Sequence, residues 1–156
     1  QPRATSADDP WEWSHTVSSE EDFRAKVCEG SKTKPVLVKY GNTNCTQCML
    51  FELTGAIREF AESDGQRDAV DVFKVWWGMQ PDDSFSGRVP VPTRLNELAK
   101  AEGVTSSPSF IVYRDGRRYP CHGGYPTATG EDPELEACLA KATGEAPFAT
   151  LCGKPS

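Results

Sequence analysis

The chain has 156 residues, 37% of them hydrophobic, which suits one domain that buries a core of its own. Asp plus Glu number 23 against 17 Lys plus Arg, for a formal net charge of -6. Since no run of Lys or Arg occurs, we expect neither nucleic acid nor an anionic membrane as a partner. No apolar stretch approaches the roughly 20 residues of a spanning helix, so we also expect no membrane insertion.

Six cysteines are present, and two of them belong to the motif Cys45-Thr46-Gln47-Cys48. The other four are Cys28, Cys121, Cys138 and Cys152. Their even number favours structural disulfides made in an oxidising compartment, although four reduced and buried thiols are the alternative. We therefore expect a secreted or periplasmic protein in its mature form, after removal of a signal sequence.

The first part of the chain predicts an arm, a helix and a strand. Residues 1–10 are polar and rich in turn formers, so residues 1–15 predict an irregular arm. Its Trp11 and Trp13 could anchor the arm on the domain, or the arm could add a short edge strand. A capping-box pattern predicts a helix over about 18–28, ended by Gly30. The apolar and largely β-branched residues 35–40 predict a buried strand.

The middle of the chain predicts one long helix, a second strand and a loop. Helical spacing extends over 45–63 and places a set of apolar residues on one side. These are Leu50, Leu53, Ile57, Phe60 and Ala61. Residues 69–77 predict the second strand, and the glycines and prolines of 78–92 predict an inserted loop.

The second half predicts two further helices and a β-hairpin. The predicted elements are a helix over 93–101, a strand over 109–113, a turn at Asp115-Gly116, a strand over 117–122 and a helix from 132 or 133. Residues 144–156 predict a tail. This order of helices and strands indicates an α/β protein, whose mixed sheet has a parallel pair, a late antiparallel hairpin and helices on both faces.

The Cys45-Cys48 motif follows a predicted strand and opens a predicted helix. Unpaired N–H groups and the helix dipole at such a terminus stabilise a thiolate. Cys45 is thus the expected nucleophile towards a disulfide, and Cys48, more buried, is the expected resolving thiol. A structural disulfide or half of a metal site has the same spacing, so these alternatives stay open.

The segment 105–116 places Pro108 directly before a buried strand and a turn. Together with the motif and the element order, it resembles the cis-proline strand of the thioredoxin superfamily. The resemblance covers about 16–143 and implies the thioredoxin fold, with a central mixed sheet of four to five strands. It also implies that Ser107 and Pro108 position an extended substrate beside the dithiol.

The sequence departs from that family at the site. Asn44 stands where thioredoxins have Trp, and Thr46-Gln47 replaces their Gly-Pro. Lys39 stands where thioredoxin carries a buried acid that helps to deprotonate the resolving thiol. Lys39 could stabilise a thiolate if charged, accept a proton if neutral, or extend to solvent; Lys39 and Asn44 are therefore possible modulators.

The resemblance also bears on the other cysteines. Because the last helix packs near the last strand in this fold, it favours a Cys121–Cys138 disulfide and leaves Cys28 to Cys152. Four cysteines allow three pairings. Cys121 and His122 could instead join the dithiol in a zinc site, but we expect no metal.

We therefore expect a thiol-disulfide oxidoreductase that needs no cofactor, because the dithiol is the redox centre. Its partners would be protein or peptide thiols and disulfides, together with an unidentified redox partner. The alternatives are a binding module with a structural Cys45–Cys48 disulfide and a metal-binding protein. The expected organisation is an arm over 1–15, a domain over 16–143 and a tail over 144–156 that Cys152 tethers.

Overall fold

The computed structural model describes residues 8–42, 45–78, 94–121, 133–144 and 146–153. The helices are α1 (Pro10–Ser14), α2 (Glu20–Phe23), α3 (Thr46–Thr54), α4 (Ala56–Glu62), α5 (Asn96–Ala101) and α6 (Pro133–Lys141). The strands are β1 (Val36–Asn42), β2 (Asp71–Trp77), β3 (Ser109–Arg114) and β4 (Arg117–Cys121). Apart from α1, α2 and the α3–α4 pair, the element ends that the sequence predicts lie within three residues of these bounds.

The four strands form one mixed sheet in the order β2-β1-β3-β4. β1 pairs parallel with β2 and antiparallel with β3, and β3 pairs antiparallel with β4. The turn between β3 and β4 has positive φ at both Asp115 and Gly116, which suits the tight hairpin that these residues predict. The expected mixed sheet is thereby confirmed.

Side chains of β1 alternate between two apolar layers, one on each face of the sheet. On one face, Val36, Val38 and Tyr40 pack with residues of α2 and α5, among them Phe23 and Leu98. On the other face, residues of α3, α4 and α6 pack together with Leu37 of β1. This second cluster includes Leu37, Phe51, Ile57, Phe60, Val112 and Leu135. The central strand is therefore buried on both faces.

The predicted helix over 45–63 is divided in the structure at Gly55. Gly55 has φ +67° and ends α3 in the left-handed conformation, which glycine adopts without steric cost. Leu50 and Leu53 are 50% and 39% exposed whereas Ile57 and Phe60 are buried, so the prediction that these residues share one apolar side was wrong. The prediction assumed one continuous helix, but the helix is interrupted at Gly55. In α3, Cys48 and Phe51 are buried instead.

The N-terminal arm is partly helical, which corrects the expectation of an irregular segment. α1 begins at Pro10, and the carboxylate of Asp9 caps it by accepting the N–H of Trp11 at 2.9 Å. Pro is well suited to this first position because its φ matches the helix and it has no N–H to satisfy. After α1, Thr16 forms an isolated parallel bridge to Lys74 of β2.

The helix predicted to end at Gly30 continues beyond it. α2 passes into a π-helical stretch over Arg24–Glu29 and then a 3-10 turn over Gly30–Lys32. Gly30 has φ -60°, so it stays in the right-handed region here. Gly30 therefore does not end the helical segment, contrary to the prediction from the sequence.

Two disulfides join Cys28 to Cys152 and Cys121 to Cys138, the pairings that the family resemblance favours. The C-terminal segment that contains Cys152 also bonds to the hairpin, since Ala149 N–H donates to the Gly116 carbonyl at 2.8 Å. No described helix has the length and apolar character needed to cross a membrane. Of the predicted loop 78–92, only Gly78 lies within the described residues, and the division into arm, domain and tail stays a prediction.

Candidate redox site

Cys45 and Cys48 lie at the start of α3, directly after β1. Cys45 is the N-cap residue with φ -99° and ψ 118°, and its Sγ accepts the N–H of Cys48 at 3.1 Å. Its own N–H donates to the Asn42 carbonyl at 3.1 Å. Both cysteines are free thiols; Cys45 is partly exposed and Cys48 is fully buried. One sulfur is thus accessible while the other lies behind it.

The surroundings separate the two thiols electrostatically. Burial raises the pKa of Cys45, but hydrogen bonds from the Cys48 thiol, the Ser107 hydroxyl and the Cys48 N–H, with the charge of Lys39, lower it below its ordinary value. Burial dominates at Cys48 and raises its pKa to about 12, even though Lys39 acts in the opposite direction. Cys45 is therefore the thiol that ionises first, as a nucleophile must.

Ser107 and Pro108 come beside this dithiol from the start of β3. The Ser107-Pro108 peptide bond is cis, and the Ser107 side chain is a hydrogen-bond partner of Cys45. Ser109, the first residue of β3, donates its hydroxyl proton to the Ser106 carbonyl at 2.6 Å. Ser107 therefore lies beside the partly exposed thiol of Cys45.

Lys39 lies beneath α3 and does not extend to solvent. Its side chain is 1% exposed, and its Nζ pairs with Glu52 Oε1 at 2.9 Å. The same ammonium lies 5.4 Å from the Phe51 ring centroid and 5.0 Å from that of Trp76, within the range of cation–π attraction. This environment compensates a buried charge, and of the alternatives considered for Lys39, extension to solvent is excluded.

Glu52 links Lys39 to a second buried lysine. Its other carboxylate oxygen, Oε2, accepts from Lys74 Nζ at 2.9 Å, and Lys74 also binds Glu12 of α1. Burial would raise the pKa of Glu52, but the two lysines lower it to about 2. Burial lowers the pKa of Lys74, whereas the two glutamates raise it to a net value above the ordinary one. We call Lys39, Glu52, Lys74 and Glu12 the buried charge cluster.

Sequence reasoning missed three members of this cluster, although weak signals exist for two of them. Lys74 interrupts an apolar strand, as Lys39 does, and the two are register partners in the β1–β2 pair. Glu52 follows Cys48 by four residues and so shares its helix face. Glu12 carries no such signal, because only the packing of α1 against β2 brings it to Lys74.

The remaining predicted site residues are Asn44, His122 and the cysteines outside the motif. Asn44 and His122 lie outside the described residues. Cys121 is bonded to Cys138 and is therefore no thiolate ligand for the zinc site considered above. Among the described parts of the chain, no group of three or more His, Cys, Asp and Glu side chains could hold a metal ion.

No protein-family model and no curated protein matches the sequence, whereas many solved structures match the fold. The thioredoxin Deadhead of Drosophila melanogaster is 20% identical at a TM-score of 0.52, with 82% of this chain and 98% of that chain covered. A mutant thioredoxin of Halobacterium salinarum is 18% identical at a TM-score of 0.53, with 93% and 100% covered. Fasciola hepatica thioredoxin is 15% identical at a TM-score of 0.52, with 83% and 99% covered. The chain thus has the thioredoxin fold.

Proposed function

We propose that the protein is a thiol-disulfide oxidoreductase that acts on protein or peptide substrates through Cys45 and Cys48. The observation that carries the proposal is the difference between the two thiols. Cys45 is accessible at the start of α3 and has a lowered pKa, whereas Cys48 is buried and has a raised one. An attacking and a resolving thiol require this asymmetry.

In the reducing direction, the Cys45 thiolate attacks one sulfur of a substrate disulfide. A mixed disulfide forms, and the other substrate sulfur leaves as a thiolate that takes up a proton. Cys48 then loses its proton and attacks Cys45 Sγ, which releases the second substrate thiolate. Two electrons have passed from the dithiol to the substrate, and the reverse sequence oxidises a substrate dithiol. No cofactor takes part.

The neighbourhood of Ser107 supports a role in substrate positioning. Its side chain contacts Cys45, and the cis Ser107-Pro108 bond precedes β3. An extended peptide that pairs with this backbone would bring its own sulfur against Cys45 Sγ, because strand pairing fixes register along both chains. We propose Ser107 and Pro108 as the positioning element.

We further propose a secreted or periplasmic location. The disulfides Cys28–Cys152 and Cys121–Cys138 support it, since such bonds persist in oxidising compartments. Cell fractionation of the natural source tests this location: recovery of the protein from the cytosolic fraction alone would contradict it.

The test of the activity measures Cys45 alkylation against pH, and trapping of a substrate by a Cys48→Ser variant. We expect Cys45 to react below the pH at which a free thiol ionises, about 8.5, and the variant to accumulate a mixed disulfide. A Cys45→Ser variant is the matched control and should trap nothing. Ordinary reactivity at Cys45, with a Cys45–Cys48 bond that resists reduction, would instead indicate a structural disulfide in a binding module.

A further inference from the structure

Two members of the buried charge cluster, Lys39 and Glu52, lie close to the dithiol. Cys48 and Glu52 are one helical turn apart on the inward face of α3, and both are buried. Glu52 Oε1 holds Lys39 Nζ at 2.9 Å, so the ammonium of Lys39 lies beneath the first turns of that helix. Among the described residues, the charged and titratable groups near Lys39 are Glu52 and the two thiols of α3, together with Lys74, its register partner on β2.

This arrangement places a positive charge where the family resemblance expects an acid. A buried carboxylate would disfavour a nearby thiolate, whereas an ammonium favours it. Lys39 accordingly acts to lower the pKa of both Cys45 and Cys48. The ion pair with Glu52 keeps the ammonium compensated within the core, where an unpaired charge would be costly.

Stabilising a thiolate stabilises the reduced form of a dithiol relative to its disulfide, which makes the disulfide a stronger oxidant. We infer that Lys39, held by Glu52, biases this site towards accepting electrons, so that its preferred substrates are reduced protein dithiols. This inference rests on the proposed function and adds the direction of the reaction. Lys39 is a positioning residue in this sense: it acts through the cysteines and does not itself exchange bonds.

In the oxidising step, two electrons pass from a substrate dithiol to the Cys45–Cys48 disulfide. A substrate thiolate attacks Cys45 Sγ of the Cys45–Cys48 disulfide, and Cys48 leaves as a thiolate that Lys39 stabilises until it takes up a proton. The second substrate thiol loses its proton and attacks the substrate sulfur of the mixed disulfide, which releases the Cys45 thiolate. The substrate loses two electrons to the protein. A low-molecular-weight disulfide, oxidised glutathione in the assay, restores the Cys45–Cys48 bond.

Two double variants test the inference, each removing one lysine and one glutamate of the buried charge cluster without changing the net charge. Both lose the shared Lys74–Glu52 contact, so they differ in whether Lys39–Glu52 or Lys74–Glu12 is lost. Lys39→Met with Glu52→Gln removes the pair beneath the dithiol. Lys74→Met with Glu12→Gln removes the neighbouring pair and is the matched control. Both are compared with the wild type by glutathione equilibration, by the pH profile of Cys45 alkylation and by oxidation of a reduced, unfolded substrate protein.

We expect the first variant to lower the equilibrium constant for oxidising glutathione about tenfold, which is about 30 mV for this two-electron couple. Its alkylation profile should shift to higher pH, and its substrate oxidation should slow. The control should change each quantity by less than about twofold. Equal effects in both variants, or no effect in either, would overturn the inference. If the wild type still turns over substrate in that case, the proposed function stands. An inactive wild type with an ordinary Cys45 would overturn both.

Lys39→Arg provides a second measurement that does not depend on the folding of the first variant. Arg keeps the charge and can still pair with a carboxylate. We expect its alkylation profile and its glutathione equilibrium to stay within about threefold of the wild type. A shift as large as the tenfold one above would show that side-chain shape, and not charge, sets the potential, and would overturn the inference.

Discussion

Removing the Cys28–Cys152 disulfide should destabilise the protein more than removing Cys121–Cys138. The Cys28–Cys152 bond joins residues 124 positions apart in the sequence, whereas the Cys121–Cys138 bond joins residues 17 positions apart. In the chain-entropy model, a crosslink stabilises by restricting the unfolded chain, and its effect grows with the logarithm of loop length. The expected losses are about 5 and about 3 kcal/mol, a difference of about 2 kcal/mol.

The assay is urea unfolding without reductant, followed by tryptophan fluorescence and circular dichroism. Both pairs are changed to alanine in a background that also carries Cys45→Ala and Cys48→Ala, so that no free thiol can exchange with the remaining bond. Because each double variant removes the same atoms, the lost side-chain volume is equal while the loop length differs. Equal losses, or a larger loss for the shorter loop, would refute the entropic argument.

Three further predictions concern pH, backbone space and helix faces. Burial would raise the pKa of Glu52, but two lysines lower it to about 2; its stabilising effect is therefore present above the ordinary carboxyl pKa and is lost as the pH falls towards 2. Glu52→Gln should flatten the acid-induced loss of stability in unfolding curves recorded at decreasing pH, and an unchanged slope would contradict this. Gly153→Ala should cost about 1–3 kcal/mol in thermal unfolding, because its Cβ would collide with the Cβ of Phe148; the control Gly65→Ala, with nothing within 4 Å, should cost far less. Phe51→Ala should cost about 3–5 kcal/mol in urea unfolding and Leu53→Gln about 0.5 or less, and a large loss for the latter would mean that Leu53 is buried.

The sequence predicted most elements of the fold because their signals are local. An apolar strand such as β1 and a turn at Asp115-Gly116 depend on residues that are adjacent in the chain. The division of α3 from α4 was missed because a glycine inside a helical pattern is compatible with either a continuous helix or a C-cap. Only the packing of both halves on the sheet distinguishes these conformations.

For the site, the sequence by itself predicted the pair that we propose as the redox centre, Cys45 and Cys48, since a C-x-x-C motif between a strand and a helix is a local pattern. It also singled out Lys39 as an unusual residue but left its environment open. The tertiary structure alone decided that Glu52 compensates this lysine and that Glu12, far away in sequence, completes the charge cluster. The physical reason is that the stability of a buried charge depends on partners that folding brings together, and no local pattern specifies them.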